Sequence, residues 1–430
     1  MKRTILVSIL VIAMLLTACD SDNSKQNASK EVKVNGNNIE KSISRYPEYQ
    51  DIEAMFRNKR LEEFPTYNTE TLRGRYIDVR SRDISHLNLK DRMEDLVQCQ
   101  FDSKTKWPES LPQGFEPEKI LSMNKTPGLN IKKLQEQGVT GKNVGIGVVD
   151  YGLIINHEEY KDRLKFYDEV HYKTKQAHFH GPSIASILVG KNVGIAPGAD
   201  LYFIGSENFD VEKNDMIANF SYIAESIYKL LEKNRTLPEA RKIRVISISA
   251  AWSPKSRGYD EITKAVEEAS KQGIFVVSAN LFEQNPEFYF HGLHREMLDK
   301  PDDIESYTPY PGELWLNMTE HIDGFKDFYL KSYRANEKKK TLLIPIASRT
   351  VATAGGDSDY AIFRLGGWSF GIPYISGLYA LCCQVDPDIT PEKFWDAAYN
   401  TGEAQNIEMD GKKETAVMIN PVKLIEFIGE

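Results

Sequence analysis

The sequence has few cysteines, a single long apolar run and no long basic run. Four cysteines in 430 residues are too few for a fold held together by disulfides. A chain with one long apolar run is not a membrane protein with several spans. The 54 Lys and Arg residues are outnumbered by 62 Asp and Glu residues, which gives a net charge of −8. Nucleic acid is therefore not an expected partner.

The composition that remains is that of a folded chain with a sizeable core. Hydrophobic residues make up 41% of the sequence and charged residues 27%. This balance excludes wholesale disorder, collagen and coiled coil. At about 100–200 residues per domain, the length allows two or three domains.

The one long apolar run covers residues 4–17 and follows Lys2 and Arg3. A basic start and a short apolar stretch predict an export signal, because the run is too short to span a bilayer comfortably. The end of the run, Leu16-Thr17-Ala18-Cys19, resembles the lipoprotein box of bacteria. The resemblance implies cleavage before Cys19 and a diacylglycerol group on its sulfur. The alternative is an ordinary secretory signal with a chance cysteine.

These features divide the chain into four parts. Residues 1–18 are the predicted lipoprotein signal peptide, and the polar residues 19–38 are a flexible tether. Residues 39–125 form an N-terminal region, either a propeptide or an accessory domain. Residues 126–430 carry the recognisable pattern of motifs. The expected location is the outer face of a bacterial cell membrane, with the lipid as the anchor.

Apolar runs typical of buried strands alternate with amphipathic helices from residue 126 onward. The predicted strands are 143–150, 200–205, 245–249 and 274–278, and the predicted helices are 216–231, 260–271 and 370–383. This alternation predicts an α/β fold, with a mostly parallel sheet covered by helices on both faces. Active-site residues in such sheets gather at the carboxyl ends of the strands. Outside the signal, Cys99, Cys382 and Cys383 are expected to be packed free thiols.

Four polar residues stand at the ends of these elements. Asp150 ends a predicted strand, His180 opens a helix, Asn280 follows a strand, and Ser369 precedes an apolar helix. Each of them taken alone has an ordinary structural explanation. A strand-end aspartate is commonly a cap or turn residue, and a serine before a helix is commonly an N-cap.

Together these motifs resemble those of the subtilisin-like serine proteases, the subtilases. The D-T-G motif of that family is similar to residues 150–152, H-G-T-H-V-A-G to 180–186, G-V-A-P-G-A to 194–199, and G-T-S-M-A-x-P to 367–373. The order Asp, His, Asn, Ser along the chain is also that of the family. The resemblance covers residues 126–430 and implies a subtilisin-like three-layer fold and a serine endopeptidase that acts on proteins or peptides.

The resemblance also implies a role for each residue. Ser369 would be the nucleophile, His180 the general base and Asp150 the group that orients the imidazole. Asn280 would donate an N–H to the oxyanion, together with the backbone N–H of Ser369. The segment Ser249, Ala250 and Ala251 would lie along the substrate. The chemistry needs no metal or other cofactor, and none is expected.

Several positions depart from the family motifs. The departures are Pro182 and Ser183 after the histidine, Trp368 before the nucleophile, Ala279 before the asparagine, and Ala251 in the substrate segment. Residues 287–340, an aromatic and charged stretch, are predicted to be an insertion. Substrate preference is therefore not carried over from the family.

Two alternatives to the protease hypothesis stay open. His178 with His180, or His291 with His294, has a spacing that a metal pair can use, but no Cys or carboxylate stands at an obvious completing position. The second alternative is a catalytically degenerate lipoprotein of the same fold that binds peptides or protein partners without cleaving them.

Overall fold

A computed structural model of the protein describes residues 39–51, 60–69, 75–212 and 215–430. The predicted signal peptide, Cys19 and the tether lie outside the described residues. The strands are β1 (Ser42–Ile43), β2 (Ile77–Asp78), β3 (Cys99–Asp102), β4 (Gly145–Asp150), β5 (Leu164–Val170), β6 (Asp200–Ser206), β7 (Phe209–Glu212), β8 (Asp215–Ala218), β9 (Ile243–Ile248), β10 (Phe275–Val277), β11 (Phe288–His294), β12 (Thr308–Pro309), β13 (Lys340–Pro345), β14 (Arg349–Ala352), β15 (Tyr360–Phe363), β16 (Glu403–Met409) and β17 (Lys412–Met418).

The helices follow the same chain order. They are α1 (Met93–Leu96), α2 (Pro117–Met123), α3 (Ile131–Glu136), α4 (His180–Val189), α5 (Ser221–Arg235), α6 (Tyr259–Lys271), α7 (Leu281–Gln284), α8 (Gly312–Asn317), α9 (Phe325–Ala335), α10 (Trp368–Val385), α11 (Pro391–Thr401) and α12 (Pro421–Gly429).

Within the described residues, the main sheet is parallel throughout and has six strands in the order β1-β5-β6-β4-β9-β10. Both faces of this sheet are buried. Successive side chains of a strand point to opposite faces, and in β4 Val148 belongs to the apolar core on one face and Val149 to the core on the other. The predicted α/β fold with a mostly parallel sheet is confirmed.

Helices cover both faces of this sheet. The helices α4 and α10 pack on one face, and α5 and α6 pack on the other. The helix predicted over residues 216–231 is wrong in its first residues, since α5 begins at Ser221 and Met216 lies in β8. Met216 pairs with Val211 across an antiparallel hairpin. The side chain of Asn219 then accepts hydrogen bonds from the backbone N–H and the hydroxyl of Ser221, where the helix begins.

The stretch predicted as an insertion supplies much of a second sheet. This sheet has the strand order β12-β11-β13-β17-β16. Its strand β11 and the helices α8 and α9 lie within residues 287–340, and β16 and β17 come from the C-terminal end of the chain. The stretch is therefore an integral layer of the fold, because its strand β11 pairs with β13, and β13 pairs in turn with the distant strand β17.

Strands of the N-terminal region also pair with the rest of the molecule. The strand β1 is an edge strand of the main sheet, where Ser42 pairs with Phe166. The strands β2 and β3 belong to a third sheet with the order β14-β15-β3-β2, in which Phe101 pairs with Ile362. The described part of residues 39–125 thus contributes strands to two sheets that are completed by the remaining chain.

The cysteines and the length of the apolar helices can also be compared with the sequence. Cys99, Cys382 and Cys383 are buried and unpaired, as predicted. Within the described residues, no helix is long and apolar enough to cross a membrane.

Candidate active site

The side chains of Asp150 and His180 meet at the carboxyl end of the main sheet. Nδ1 of His180 lies 2.6 Å from Oδ1 of Asp150. A carboxylate can only accept, so the imidazole donates its Nδ1–H, and Nε2 is left as the basic nitrogen. The Asp150 side chain is 3% exposed and that of His180 is 19% exposed. The pair is therefore shielded at the aspartate and open to solvent at the histidine.

A close approach between helix α4 and the end of β4 brings these two residues together. Gly181 is the second residue of α4, and a Cβ atom at this position would clash with the backbone oxygen of Tyr151. Only glycine allows the start of the helix to come this close to the strand end. The glycine that follows the histidine in the sequence motif thus has a direct geometric reason.

The loop that leads into α4 is held by aromatic contacts. The ring of His178 packs against Tyr151 and Phe179, with 4.5 Å between ring centroids in both cases. Burial, with a smaller effect of the neighbouring His180 and Arg80, lowers the pKa of His178 to about 3. His178 is therefore neutral at ordinary pH and accepts a hydrogen bond from the backbone N–H of His180.

Two residues of the N-terminal region also contact this loop. Oε1 of Gln50 accepts a hydrogen bond from the backbone N–H of Phe179 at 2.8 Å. The Arg80 guanidinium lies against the rings of Phe179 and Phe363, 5.3 and 4.8 Å from their centroids. Sequence reasoning missed these contacts, because neither residue belongs to a recognisable motif.

Ser369 is the second residue of α10, which runs for 18 residues through the core. The first N–H groups of a helix have no partner within the helix, so the backbone of Ser369 can offer a donor at this end. Gly366 precedes the helix with a φ of +62°, and a Cβ there would meet the carbonyl oxygen of Ile346. The start of α10 therefore depends on a glycine in a left-handed conformation.

Trp368 anchors the start of α10 in an aromatic cluster. Its indole N–H donates to the backbone oxygen of Trp315 at 3.0 Å, and the two indole rings stack with centroids 4.0 Å apart. Phe290 packs edge-on to the same ring. Trp315 and Phe290 both lie in the aromatic stretch 287–340, so that stretch fixes the helix end that carries Ser369.

The substrate segment predicted at Ser249, Ala250 and Ala251 directly follows β9. The hydroxyl of Ser249 donates to the backbone oxygen of Ser369 at 3.1 Å. The backbone oxygen of Ala250 accepts from Ala279 N–H at 3.1 Å. This segment thus connects the start of α10 with the loop that carries Asn280.

Within the described part of the chain, the Ser369 hydroxyl makes no hydrogen bond with His180.

Asn280 lies at the start of α7 and is 1% exposed. Its Oδ1 accepts from the Trp252 N–H at 3.0 Å, and its Nδ2 donates to the Trp252 backbone oxygen at 2.9 Å. Nδ2 also donates to Oε2 of Glu283 at 2.6 Å. Both N–H groups of the amide are therefore engaged, and its role as an oxyanion donor stays a prediction. The spacing Asn-x-x-Glu, typical of a helix start, was the available signal for Glu283.

The histidine pairs considered as metal ligands do not gain further ligands from the fold. No group of three or more His, Cys, Asp or Glu side chains in the described residues has an arrangement that could hold a metal ion. His291 is fully buried, and its Nε2 lies 2.5 Å from the backbone oxygen of Tyr310. His294 lies against the Thr308 hydroxyl instead.

Comparison with known proteins gives an independent result for part of the chain. A family model described as the subtilase family matches residues 141–280. Subtilisin-like protease 2 of Arthroderma otae is 30% identical over 141 residues, which is 32% of this chain and 31% of that protein. The major intracellular serine protease of Bacillus subtilis is 27% identical over 181 residues, which is 38% of this chain and 51% of that protein.

Solved structures of two proteases are also similar. The prenylagaramide maturation protease PagA is 16% identical with a TM-score of 0.45, and the similarity covers 70% of this chain and 98% of that chain. A cold-adapted subtilisin-like serine proteinase is 14% identical with a TM-score of 0.42, covering 65% of this chain and 89% of that chain.

The matched segment and the sheet topology agree with each other. Residues 141–280 hold β4, α4 and β10, and with them Asp150, His180 and Asn280. The subtilisin-like α/β fold predicted from the motifs is confirmed, and residues 141–280 are similar to the subtilase family. Ser369 lies beyond the matched segment. The chain spans about a third of the length of the Arthroderma protein and about half of the Bacillus protein.

Proposed function

We propose that the protein is a serine endopeptidase that cleaves peptide bonds through an acyl-enzyme. The observation that carries the proposal is the 2.6 Å contact between Asp150 and His180, with Ser369 at the start of α10. His180 takes the proton of the Ser369 hydroxyl as it attacks the substrate carbonyl, and Asp150 stabilises the imidazolium that forms. The backbone N–H of Ser369 and the amide of Asn280 then stabilise the oxyanion.

Peptide hydrolysis by purified variants tests this function. Wild type is expected to cleave an unfolded protein substrate, and Ser369→Ala to lose the activity because no nucleophile is left. Ser270→Ala is the matched control, since this serine is exposed on α6 and its hydroxyl donates to the backbone oxygen of Val266 in the preceding turn of the helix. Equal activity in wild type and Ser369→Ala would contradict the proposal.

A second candidate function has one specific observation in its favour. Both N–H groups of Asn280 are bound within the protein, which is the arrangement of an oxyanion site that is not in use. A subtilase-fold lipoprotein that binds peptides or protein partners without cleaving them would show this arrangement permanently. Binding of a peptide by both wild type and Ser369→Ala, with no product from either, would favour this candidate.

The proposed enzyme is attached to the outer face of a bacterial membrane through Cys19. A diacylglycerol cysteine has two acyl chains, and two chains hold a protein stably where one binds only marginally. Wild type is expected in the detergent phase of a Triton X-114 partition, and Cys19→Ala in the aqueous phase. Recovery of both proteins in the aqueous phase would contradict the anchor.

We expect the N-terminal region 39–125 to be retained in the active protein. Its strands β1 and β3 pair with β5 and β15, and its residues Gln50 and Arg80 contact the loop before His180. Loss of this region would remove strands from two sheets and leave the lipid behind on the excised piece. The test is a blot of membrane and medium fractions with an antibody to the C-terminus, for wild type and Ser369→Ala. A shortened soluble wild type beside a full-length, membrane-bound Ser369→Ala would show a cleaved propeptide instead.

A further inference from the structure

The side-chain amide of Asn280 has no free N–H to offer to a substrate. An amide nitrogen carries two N–H groups. Here one of them donates to the backbone oxygen of Trp252 and the other to Oε2 of Glu283. An oxyanion that binds Asn280 must therefore displace one of these two acceptors.

Displacement of Glu283 costs less free energy than displacement of the Trp252 backbone oxygen. Asn280 and the Trp252 peptide share two hydrogen bonds, and both residues are 1% exposed. Glu283 contributes one acceptor and is only half-buried. Its other carboxylate oxygen accepts from the Tyr259 hydroxyl at 2.5 Å, so the carboxylate keeps a partner after it releases the amide.

The position of this contact relative to the nucleophile makes the exchange relevant to the reaction. The residue before Asn280 donates its N–H to the backbone oxygen of Ala250, and the hydroxyl of Ser249 donates to the backbone oxygen of Ser369. Two hydrogen bonds thus connect the Asn280 loop with the start of α10.

We propose that Glu283 is a positioning residue that competes with the substrate oxyanion for the Asn280 N–H and thereby restrains kcat. This inference rests on the proposed function of Ser369 and Asn280. A hydrogen bond to a charged acceptor is stronger than one to a neutral acceptor, so the carboxylate is an effective competitor. The competition acts on the transition state and leaves substrate binding unchanged, because the oxyanion exists only there.

The variant Glu283→Gln tests the competition directly. The glutamine keeps the shape and a neutral carbonyl acceptor, so it should hold Asn280 less firmly. We expect kcat to rise about three- to tenfold with KM unchanged. Glu283→Ala, which removes the acceptor, should raise kcat at least as much and serves as the second variant if glutamine disturbs the fold. The matched control is Glu267→Gln on the exposed face of α6, with an expected kcat equal to that of wild type.

A double-mutant cycle separates this role from a structural one. Asn280→Ala alone is expected to lower kcat about 10²–10³-fold with little change in KM, as for loss of one oxyanion donor. In the Asn280→Ala background, Glu283→Gln should no longer change kcat. A rise in kcat that persists without Asn280 would overturn the inference. So would the absence of a rise in both Glu283 variants.

The proposed function and the inference fail in different ways. If a fluorophosphonate labels wild type at Ser369 while the Glu283 variants are no faster, only the inference is overturned. If neither wild type nor the Glu283 variants are labelled, the proposed function is overturned as well. Labelling that is faster in the Glu283 variants than in wild type supports both.

Discussion

The indole ring of Trp368 stacks on that of Trp315 at 4.0 Å, directly before the proposed nucleophile. Subtilases have a small threonine at the position of Trp368. In this chain the larger ring fills a cluster built from the aromatic stretch 287–340, and its N–H bonds to the backbone of Trp315. Trp368 and the aromatic stretch 287–340 therefore act together to support the start of α10.

Removal of the Trp368 ring should weaken both the fold and the reaction. Truncation of a buried tryptophan to alanine typically costs about 3–5 kcal/mol of stability. We expect Trp368→Ala to lower the free energy of unfolding by an amount of this order and to reduce kcat, because Ser369 loses its fixed position. Trp368→Phe keeps a ring but loses the indole N–H, and should show a smaller loss of both. Chemical denaturation and steady-state kinetics measure the two effects, and full kcat in a folded Trp368→Ala would contradict this role.

The Arg80 contact predicts that the N-terminal region supports catalysis from outside the matched segment. Arg80 lies on the ring of Phe179, next to His180, and a cation–π contact is worth about 0.5–2 kcal/mol. We expect Arg80→Ala to lower kcat several-fold, with a smaller change in KM. Arg92→Ala is the matched control. Arg80 forms an ion pair with Asp78 and Arg92 one with Asp95, and each guanidinium also lies over a phenylalanine ring. Equal losses in the two variants would indicate a general loss of stability and no specific effect on His180.

The lowered pKa of His178 predicts how the stability of the fold depends on pH. Its pKa is about 3 in the folded protein against an ordinary 6.5, so the unfolded chain binds a proton that the folded chain does not. Stability is therefore fully present above pH 6.5 and falls as the pH drops towards 3. His178→Asn, which keeps an acceptor for the His180 N–H, should lose less stability than wild type between pH 6.5 and 4. Denaturation at several pH values measures this loss, with the exposed His86→Asn as control. Identical pH dependence in wild type and His178→Asn would contradict the burial of His178.

The burial of the cysteines predicts how many thiols react with iodoacetamide before and after unfolding. Burial raises the pKa of Cys99 and Cys382 well above the ordinary value and that of Cys383 to about 12. Because thiolates are the reactive form, iodoacetamide should leave all three unmodified in the native protein. After unfolding, mass spectrometry of membrane-extracted protein should find three modified cysteines. A fourth would show that Cys19 carries a free thiol and no lipid.

The sequence predicted the parts of the fold that local patterns encode. The strands β4, β6, β9 and β10 are largely apolar in sequence, because a parallel sheet buries both faces of its strands. The proposed catalytic residues were selected from the sequence because each ends or begins such an element, and their roles stay predictions. Asp150 and His180 meet in space, as the resemblance to the subtilase motifs implied.

Other parts of the fold depend on distant contacts that leave no local pattern. The strands β1 and β2 have two residues each, too few for a recognisable alternation, and they exist through pairing with β5 and β3. Met216 has helical spacing relative to Ile223, yet tertiary pairing with Val211 places it in a hairpin. The engagement of Asn280 by Glu283 is visible only as a three-residue spacing, which by itself predicts no more than a helix start.

The most direct test of the central claim is active-site labelling with a fluorophosphonate, followed by mass spectrometry of the labelled peptide. We expect one label per wild-type chain, on Ser369, and none on Ser369→Ala. His180→Ala should react far more slowly, because the hydroxyl loses its base. Labelling of Ser369 alone would support the account. Stoichiometric labelling of a different serine, or equal labelling of wild type and Ser369→Ala, would contradict it.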